Sequence, residues 1–485
     1  MKTILLNLFL GLFAFSFAQT PCVSNMAGSY PCNDYDLMSH FNKATLSSHD
    51  GSDIWGWTDA LDNKEYALMT FEDKICFLDV TDPINPVYLG FVMTNAGTNY
   101  WRDVKVYNNT AYIVADEVGA HGVQVFDLER LRNVATPPEN FAPNTVLTAG
   151  FGGSTIGSCH NIVINESVAM AYIVGCRSAN DGKVMALDLS NRLNPVAVGQ
   201  DANNGYSHDA QVVTYNGPDT DYTGKQIMVS SNEDEVVFLD VTDATNITTI
   251  STISYTNASY VHQGWFTEDL KYVLIGDEGD EQNFGNYTKT IIIDVTDLDN
   301  PLVHATYENP DNISAIDHNI YVKGNLAFEA NYRSGMRVLD ISDITNGNLT
   351  EVGYFDTYPA SDTANFNGAW STYPYFASGN IIISDIERGL FVVRKSGTLS
   401  VADNTLNPSE ITIFPNPATT EIKVTSKNKN ITQVALYNIL GQEVLTYKNE
   451  SNLQEITLDI KTINEGVYIL KINNTIAKKI VINRL

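Results

Sequence analysis

Positive charge is scarce in this chain: 29 Lys and Arg stand against 57 Asp and Glu, a formal net charge of −28 at pH 7 over 485 residues. Residues 409–485 hold nine basic against seven acidic side chains, so the whole excess of acid falls before them. A nucleic-acid partner is excluded on sign, because phosphate binding rests on Lys and Arg neutralising the backbone. What remains is a solvated acidic surface, or concentrated carboxylates that hold cations. Long apolar runs are absent after residue 17, so no segment has the ~20 apolar residues that a membrane helix needs. The run at 4–17, behind Lys2 and ending at the small residues Ser16 and Ala18, reads as a secretory signal peptide of residues 1–18, with no Cys at the cleavage point to take a lipid. Helical periodicity is missing between the apolar runs, which excludes a parallel sheet with crossover helices. Gly-x-Ser-x-Gly, a phosphate-binding Gly-rich loop, His-Glu-x-x-His and Cys-x-x-Cys are also absent, and with them the chemistry each signature carries.

Cysteine is sparse too, with five in all. In an exported chain they invite pairing. Cys22 and Cys32 bracket a short loop, CVSNMAGSYPC, and are expected to close it. Cys159 and Cys176 lie at the ends of a hairpin whose turn centres near residues 165–170, which places them opposite each other for a cross-strand bridge. Cys76 stands alone inside an apolar strand and is expected to be buried and inert.

What the chain has is repetition. Residues 75–90, ICFLDVTDPINPVYLG, recur as 184–199, 236–251, 291–306 and 336–355, with partial copies at 123–131 and 390–397. The marker Asp stands at 79, 127, 188, 240, 294 and 340, and Arg394 takes its place in the last copy. A period near fifty residues built of short strands means a propeller or array. Each repeat reads as four strands. The first begins beside His or Asp, at 101–107, 159–164, 207–214, 261–266 and 317–322; the second lies at 66–70, 111–115, 171–175, 226–230, 272–276, 326–330 and 381–384. The third ends in the marker Asp and the fourth follows Asn-Pro. Seven four-stranded antiparallel repeats make an all-β, seven-bladed β-propeller. The last repeat supplies three strands, and residues 37–46 are expected to pair onto it and remove the open edges. The Asp-Val-Thr-Asp turns are expected to be architectural, their carboxylates accepting backbone N–H bonds at the turn. After Gly397 the composition shifts. The expected domains are an N-terminal extension at 19–34, the propeller at 35–397, a polar linker at 398–410 and a small β-sandwich at 411–485.

The tail closely resembles the type A C-terminal sorting domain of the type IX secretion system of Bacteroidetes. The resemblance rests on Phe414-Pro415-Asn416-Pro417-Ala418, the run from Tyr437 to Val444, Gly466-Val467-Tyr468-Ile469-Leu470-Lys471, and Lys478-Lys479-Ile480-Val481-Ile482. It implies passage through the outer membrane, engagement of the type IX machinery, removal of the tail, and release or attachment at the cell surface. The body resembles the choice-of-anchor B family of LVIVD-repeat propellers, through stretches such as Tyr100-Trp101-Arg102-Asp103, His160-Asn161-Ile162, Ser207-His208-Asp209, Tyr260-Val261-His262-Gln263-Gly264-Trp265, Asp317-His318-Asn319 and Ser384-Asp385-Ile386-Glu387-Arg388-Gly389. That resemblance implies a shared propeller body fitted with an anchor, and no catalytic residue or substrate.

In a propeller, the start of the first strand and the link from second to third strand share one face. His160, His208, His262 and His318 occupy the same position in four consecutive repeats. Facing them from the links are Asp116 and Glu117, Glu233 and Asp234, Asp277 and Glu278, Glu329, and Asp385 with Glu387; His121, Arg388, Arg102 and Asp103 belong to the same rim. Imidazoles ringed by carboxylates suit iron, zinc or manganese. The arrangement is similar to that of carotenoid-cleaving oxygenases, which hold iron on four His in a seven-bladed propeller, although none of their motifs occurs here. The structural alternative is that each His hydrogen-bonds neighbouring backbone and sets the spacing between blades. The acidic links at 231–235 and 277–282 suit Ca²⁺ by donor type but lack EF-hand spacing. Gly217–Gly224, on the other face, reads as a plain loop. Trp55, Trp57, Trp101, Trp265 and Trp370 fall on or beside first strands and are expected to pack between blades.

Two functions follow. One is an exported module that binds an unidentified surface ligand or protein at its acidic, His-lined rim. The other is a metal-dependent hydrolase or oxygenase with the His cluster at the propeller axis. They separate on whether several His converge on one open-sided metal position.

Overall fold

Val, Ile, Phe and Tyr dominate the repeated runs, and these residues favour a pleated backbone packed on its faces. In the computed structural model, residues 19–177, 182–201, 204–397, 411–426, 431, 433–438, 442–448, 454–473 and 476–484 are described. The expected signal peptide at 1–18, the linker at 398–410 and residues 439–441 of the sorting motif lie outside them. Two compact units result, Met1–Thr398 and Leu399–Leu485.

Among its described residues the first unit contains seven sheets, antiparallel but for one edge pairing. In the first, Gly51–Thr58, Glu65–Phe71, Lys74–Asp79 and Val87–Met93 pair in sequence order. The other six start from Arg102–Tyr107, Asn161–Asn165, Asp209–Thr214, Val261–Phe266, Asn319–Lys323 and Ala369–Tyr373. Second strands such as Glu65–Phe71 and Tyr272–Asp277 are buried along their whole length. Both of their faces meet a neighbouring sheet, so their sequences are continuous apolar runs and not alternations. Each first strand lies against the first strand of the following sheet, and Ala369–Tyr373 lies against Gly51–Thr58. A separate core fills each junction. The one between the seventh and first sheets holds Met38, Ile54, Met69, Phe71, Phe376 and Val392.

All six marker Asp residues accept the backbone N–H two residues on: Thr81, Glu129, Ser190, Thr242, Thr296 and Ser342, at 2.7–3.2 Å. This is an Asx-turn, encoded by Asp-x-Thr/Ser in five of the copies and by Asp127-Leu128-Glu129 in the other. In the last copy Arg394 instead donates to Asn380 Oδ1. The pairing of third with fourth strand carries a register shift at the same place in five sheets, between Phe77 and Leu78, Ala186 and Leu187, Phe238 and Leu239, Ile292 and Ile293, and Val338 and Leu339. A bulge of this kind increases local twist.

Three features depart from the sequence expectations. The strand that pairs with Gly389–Lys395 is Tyr35–Phe41, not 37–46. It stops because the Asn42 side chain takes the Thr45 N–H at 2.8 Å and turns the chain. Parallel pairing is not wholly excluded: Glu139–Phe141 runs parallel to the segment from Gly90 to Val92, at the outer edge of the first sheet. The long connection after Leu128–Asn133 carries the chain back past that sheet before it resumes its own at Thr145–Leu147. The N-terminal extension is itself built, as a hairpin of Met26–Ala27 and Tyr30–Asn33 that adds to Thr350–Phe355. The Cys22 and Cys32 sulfurs are bonded, as are those of Cys159 and Cys176, and Cys76 is free and buried.

The described residues of the second unit form two sheets. Ile411–Phe414, Glu421–Ser426 and Glu455–Asp459 form one, and Glu443–Lys448, Gln433–Tyr437, Gly466–Ile472 and Ile476–Ile482 form the other. Alternate residues of Glu421–Ser426 and Glu455–Asp459 are buried, and Ile422, Val424, Leu436, Tyr468 and Leu470 share the core. Among the described residues no helix is long and apolar enough to cross a membrane.

Candidate metal centre and ligand cavity

Three of the four repeat histidines stand just ahead of their first strands, and His262 lies one residue inside Val261–Phe266. Adjacent first strands therefore bring the imidazoles into one row. Ring centroids are 4.2 Å apart for His160 and His208, 4.5 Å for His208 and His262, and 4.2 Å for His262 and His318. Trp370 continues the row in the seventh sheet, 4.6 Å from His318.

The outer nitrogens are all engaged. His262 Nδ1 donates to the His318 carbonyl at 3.1 Å, and His318 Nδ1 to the Trp370 carbonyl at 2.5 Å. His160 Nδ1 donates to Asp116 Oδ2 at 3.1 Å, and His208 Nδ1 lies 2.8 Å from the Tyr260 hydroxyl. A proton fixed on Nδ1 leaves the lone pair on Nε2, as in metal-binding histidines oriented by an acceptor behind them. For His262 and His318 those Nε2 atoms face one carboxylate, at 3.9 and 3.7 Å from Glu278. Donor atoms of the three residues lie within 4.8 Å of one another. His208 Nε2 is buried with no hydrogen-bond partner. Burial pushes the His318 pKa down to about 3. Burial and the neighbouring imidazoles hold His208 and His262 well below the usual value. These rings are neutral at pH 7, the state that binds a metal. Burial lifts Glu278 to about 7, against the Tyr332 hydroxyl that donates to it at 2.6 Å.

A cavity of about 240 Å³ opens over this row. Its other walls are Tyr100, Trp101, Tyr206, Tyr260, Tyr332, Phe366 and Arg177. The structural and ligand readings of the histidines are thus compatible, since Nδ1 ties one sheet to the next while Nε2 points inward. Tyr206 and Tyr260 each precede their His by two residues, a repeated spacing that was legible in the sequence. Tyr332 and Arg177 carried no such signal.

The remaining rim candidates are each engaged by partners of their own, side chains for some and backbone N–H groups for others. Asp116 receives His160 and also Arg177, at 3.1 Å. Glu117 is half-exposed, 3.6 Å from Arg177. Glu233 pairs through its backbone with Val261, beside exposed Asp234. The Asp277 carboxylate is filled by the N–H groups of Ser259, Tyr260 and Gly279 and the Tyr255 hydroxyl. Glu329 accepts from Thr290 and Asn331. Asp103 binds the Ile162 N–H of the next sheet and Lys105. Arg102 donates to the Glu72 and Asn99 carbonyls and sits 3.4 Å from His121, whose pKa burial lowers to about 4. Asp385 caps the Glu387 and Arg388 N–H groups, Glu387 accepts from Asn367 and Gly368, and Arg388 lies over the Tyr358 ring. Of the acidic ring, Glu278 alone faces the Nε2 atoms of His262 and His318.

The five tryptophans do more than pack. Trp101 and Trp370 line the His cavity, while Trp55, Trp57 and Trp265 line a second one of about 560 Å³, with Lys105, Tyr373 and Tyr375, farther along the same first strands.

Residues 412–483 match the secretion system C-terminal sorting domain. The type IX sorting domain at the end of the chain implies engagement of that machinery, and secretion or placement at the outer surface. No curated protein matches the chain. Among solved structures, a functionally unknown protein from Desulfotomaculum acetoxidans DSM 771 is similar with a TM-score of 0.43 at 11% identity, covering 65% of this chain and 88% of that one. PorZ of Porphyromonas gingivalis, titled an essential bacterial surface component of the type-IX secretion system, is similar with a TM-score of 0.36 at 10% identity, over 87% of this chain and 70% of that one.

Proposed function

We propose that the protein is an exported seven-bladed β-propeller of the LVIVD-repeat kind. It holds a first-row transition-metal ion in the cavity at one mouth of its central channel, and binds a small ligand or partner group there. The propeller reading is supported by the cyclic order of first strands, in which the seventh sheet packs on the first, and by the separate core at each junction. Export is supported by the sorting domain and by two disulfides, which persist in oxidising compartments.

One observation carries the metal reading. His262 and His318 have Nδ1 tied to backbone carbonyls and Nε2 facing the same partly buried Glu278. Two imidazoles and one carboxylate with open positions suit non-haem iron, and also zinc or manganese. His208, with its free buried Nε2, stands next to the group. A metal-dependent hydrolase or oxygenase is the second reading. It is favoured by the open cavity above the donors, which leaves room for a substrate beside the ion.

The test is metal analysis of the secreted protein beside a His262→Ala/His318→Ala double variant, after exposure to iron, zinc and manganese. About one ion per chain, lost in the folded variant, is the expected result. No bound metal in the parent protein overturns the reading.

A further inference from the structure

The loop that carries Glu278 buries three more carboxylates behind it. Asp280 and Glu281 open the short helix Asp280–Phe284 between the second and third strands of the fifth sheet, and Asp317 lies two residues before Asn319–Lys323 of the sixth. One oxygen from each lies within 4.8 Å of the other two. Asp280 is 0% exposed, and Glu281 and Asp317 are 4% exposed. This is therefore not a solvated acidic face.

The partners present do not balance the cluster. Lys289 is ion-paired with Asp280. Asp317 Oδ2 accepts the Asp277 N–H at 2.9 Å. Both oxygens of Glu281 and Oδ1 of Asp317 are buried with no hydrogen-bond donor. Asp277 next door is filled by four donors of its own, so it neither relieves the trio nor competes for an ion. Ionised together, three carboxylates against one ammonium would leave two negative charges out of water. Burial of that kind is strongly unfavourable unless another positive group joins it.

We propose that Asp280, Glu281 and Asp317 bind a calcium ion that clamps the fifth sheet to the sixth. The donors are all carboxylate oxygens, with no His or Cys among them, which selects a hard divalent cation over the first-row metals suited to His262 and His318. The clamp does not depend on the His centre. It adjoins it, because Glu278 is two residues from Asp280, and His318 follows Asp317. Calcium binding therefore fixes the loop that presents Glu278 and the start of the strand that presents His318.

The test uses the full chain, freed of divalent ions with a chelator and titrated with calcium chloride to 10 mM, with magnesium chloride in parallel. Bound calcium is measured by equilibrium dialysis and stability by thermal unfolding. The expected result is one calcium per chain with sub-millimolar affinity, and a rise of about 2 °C or more once calcium reaches roughly a hundred times its dissociation constant. Glu281→Gln and Asp317→Asn relieve the repulsion, so each variant without calcium melts at or above the parent temperature, and each binds calcium at least tenfold more weakly. His262→Ala/His318→Ala keeps the calcium response, which separates this site from the His centre. A parent protein that binds no calcium at 10 mM overturns the proposal, and means that the carboxyls share protons instead. An unchanged response in both carboxylate variants, or an equal response to magnesium, also overturns it.

Discussion

Replacing Lys105 by Met tests whether the first strands of the first two sheets are held together by a buried ion triad. Its ammonium lies 3.0 Å from Asp53 and 2.5 Å from Asp103, and 4.7 Å over the Trp55 ring. The side chains of Lys105, Asp53 and Asp103 are 12%, 5% and 1% exposed, so solvent screens the pairs little. Burial alone pushes the lysine pKa down, but Asp103 and Asp53 outweigh it and hold the value well above the usual one. A lysine raised in the folded state gives stability that is complete below its unfolded pKa, so its own contribution is complete at pH 7, while burial holds the Asp103 carboxyl well above the usual carboxylate range although Lys105 draws it down. Lys105→Met leaves two buried carboxylates without a cation, and breaking a buried pair in this way costs about 3–5 kcal/mol. With a urea slope of about 3 kcal/mol per molar or more for a unit of this size, the unfolding midpoint falls by about 1 M. Tryptophan fluorescence reports the transition, since Trp55 touches the site. The loss shrinks at pH 5 because the freed carboxyls take up protons. The triple variant D53N/K105M/D103N recovers much of it, since no charge is then left unpaired. A cost under ~1 kcal/mol for Lys105→Met at pH 7, or a triple variant as unstable as the single one, refutes the reasoning.

Three further outcomes follow from the geometry. Burial, against Thr357 and Arg388, lifts the Asp385 carboxyl from 3.8 to about 7. The folded state then keeps a proton that the unfolded chain releases, so stability drops as pH rises from about 4 to 7. Asp385→Asn removes that slope from the melting curve, and parallel curves for variant and parent contradict the assignment. Cys159 and Cys176 are 17 residues apart and flank the segment that carries His160, so the double Cys→Ser variant loses about 3 kcal/mol. Its amide exchange quickens first between residues 158 and 177. Deleting residues 35–41 strips Gly389–Lys395 of its outer partner, and circular dichroism with size-exclusion chromatography should show loss of cooperative unfolding or aggregation. A deletion variant that melts like the parent rules out ring closure by this strand.

The repeat, the four-strand order and the Asp turns were legible in the sequence because each depends on contacts within a few residues. An Asp that binds the N–H two residues on, as Asp294 binds Thr296, needs no partner from elsewhere in the chain. The sorting tail was legible for a related reason, since its motif residues keep a fixed linear order. Other features depend on how distant strands meet. Eight acidic residues sat at equivalent link positions beside Glu278, and tertiary placement decided that Glu278 faces the Nε2 atoms while Glu329 takes Thr290 of the neighbouring sheet and Asp385 caps the N–H groups that follow it. The repeated bulge in the outer strands leaves no mark in the hydrophobic pattern, because it changes register without changing residue type. The hairpin Met26–Ala27/Tyr30–Asn33 reaches a strand more than three hundred residues away, and Asp317 meets Asp280 and Glu281 only because the fifth and sixth sheets pack against each other. The sequence by itself determined the repeating unit, its turns and its address. The tertiary structure alone decided which side chains from different repeats converge, since that depends on the packing angle and register between sheets, which no single repeat encodes.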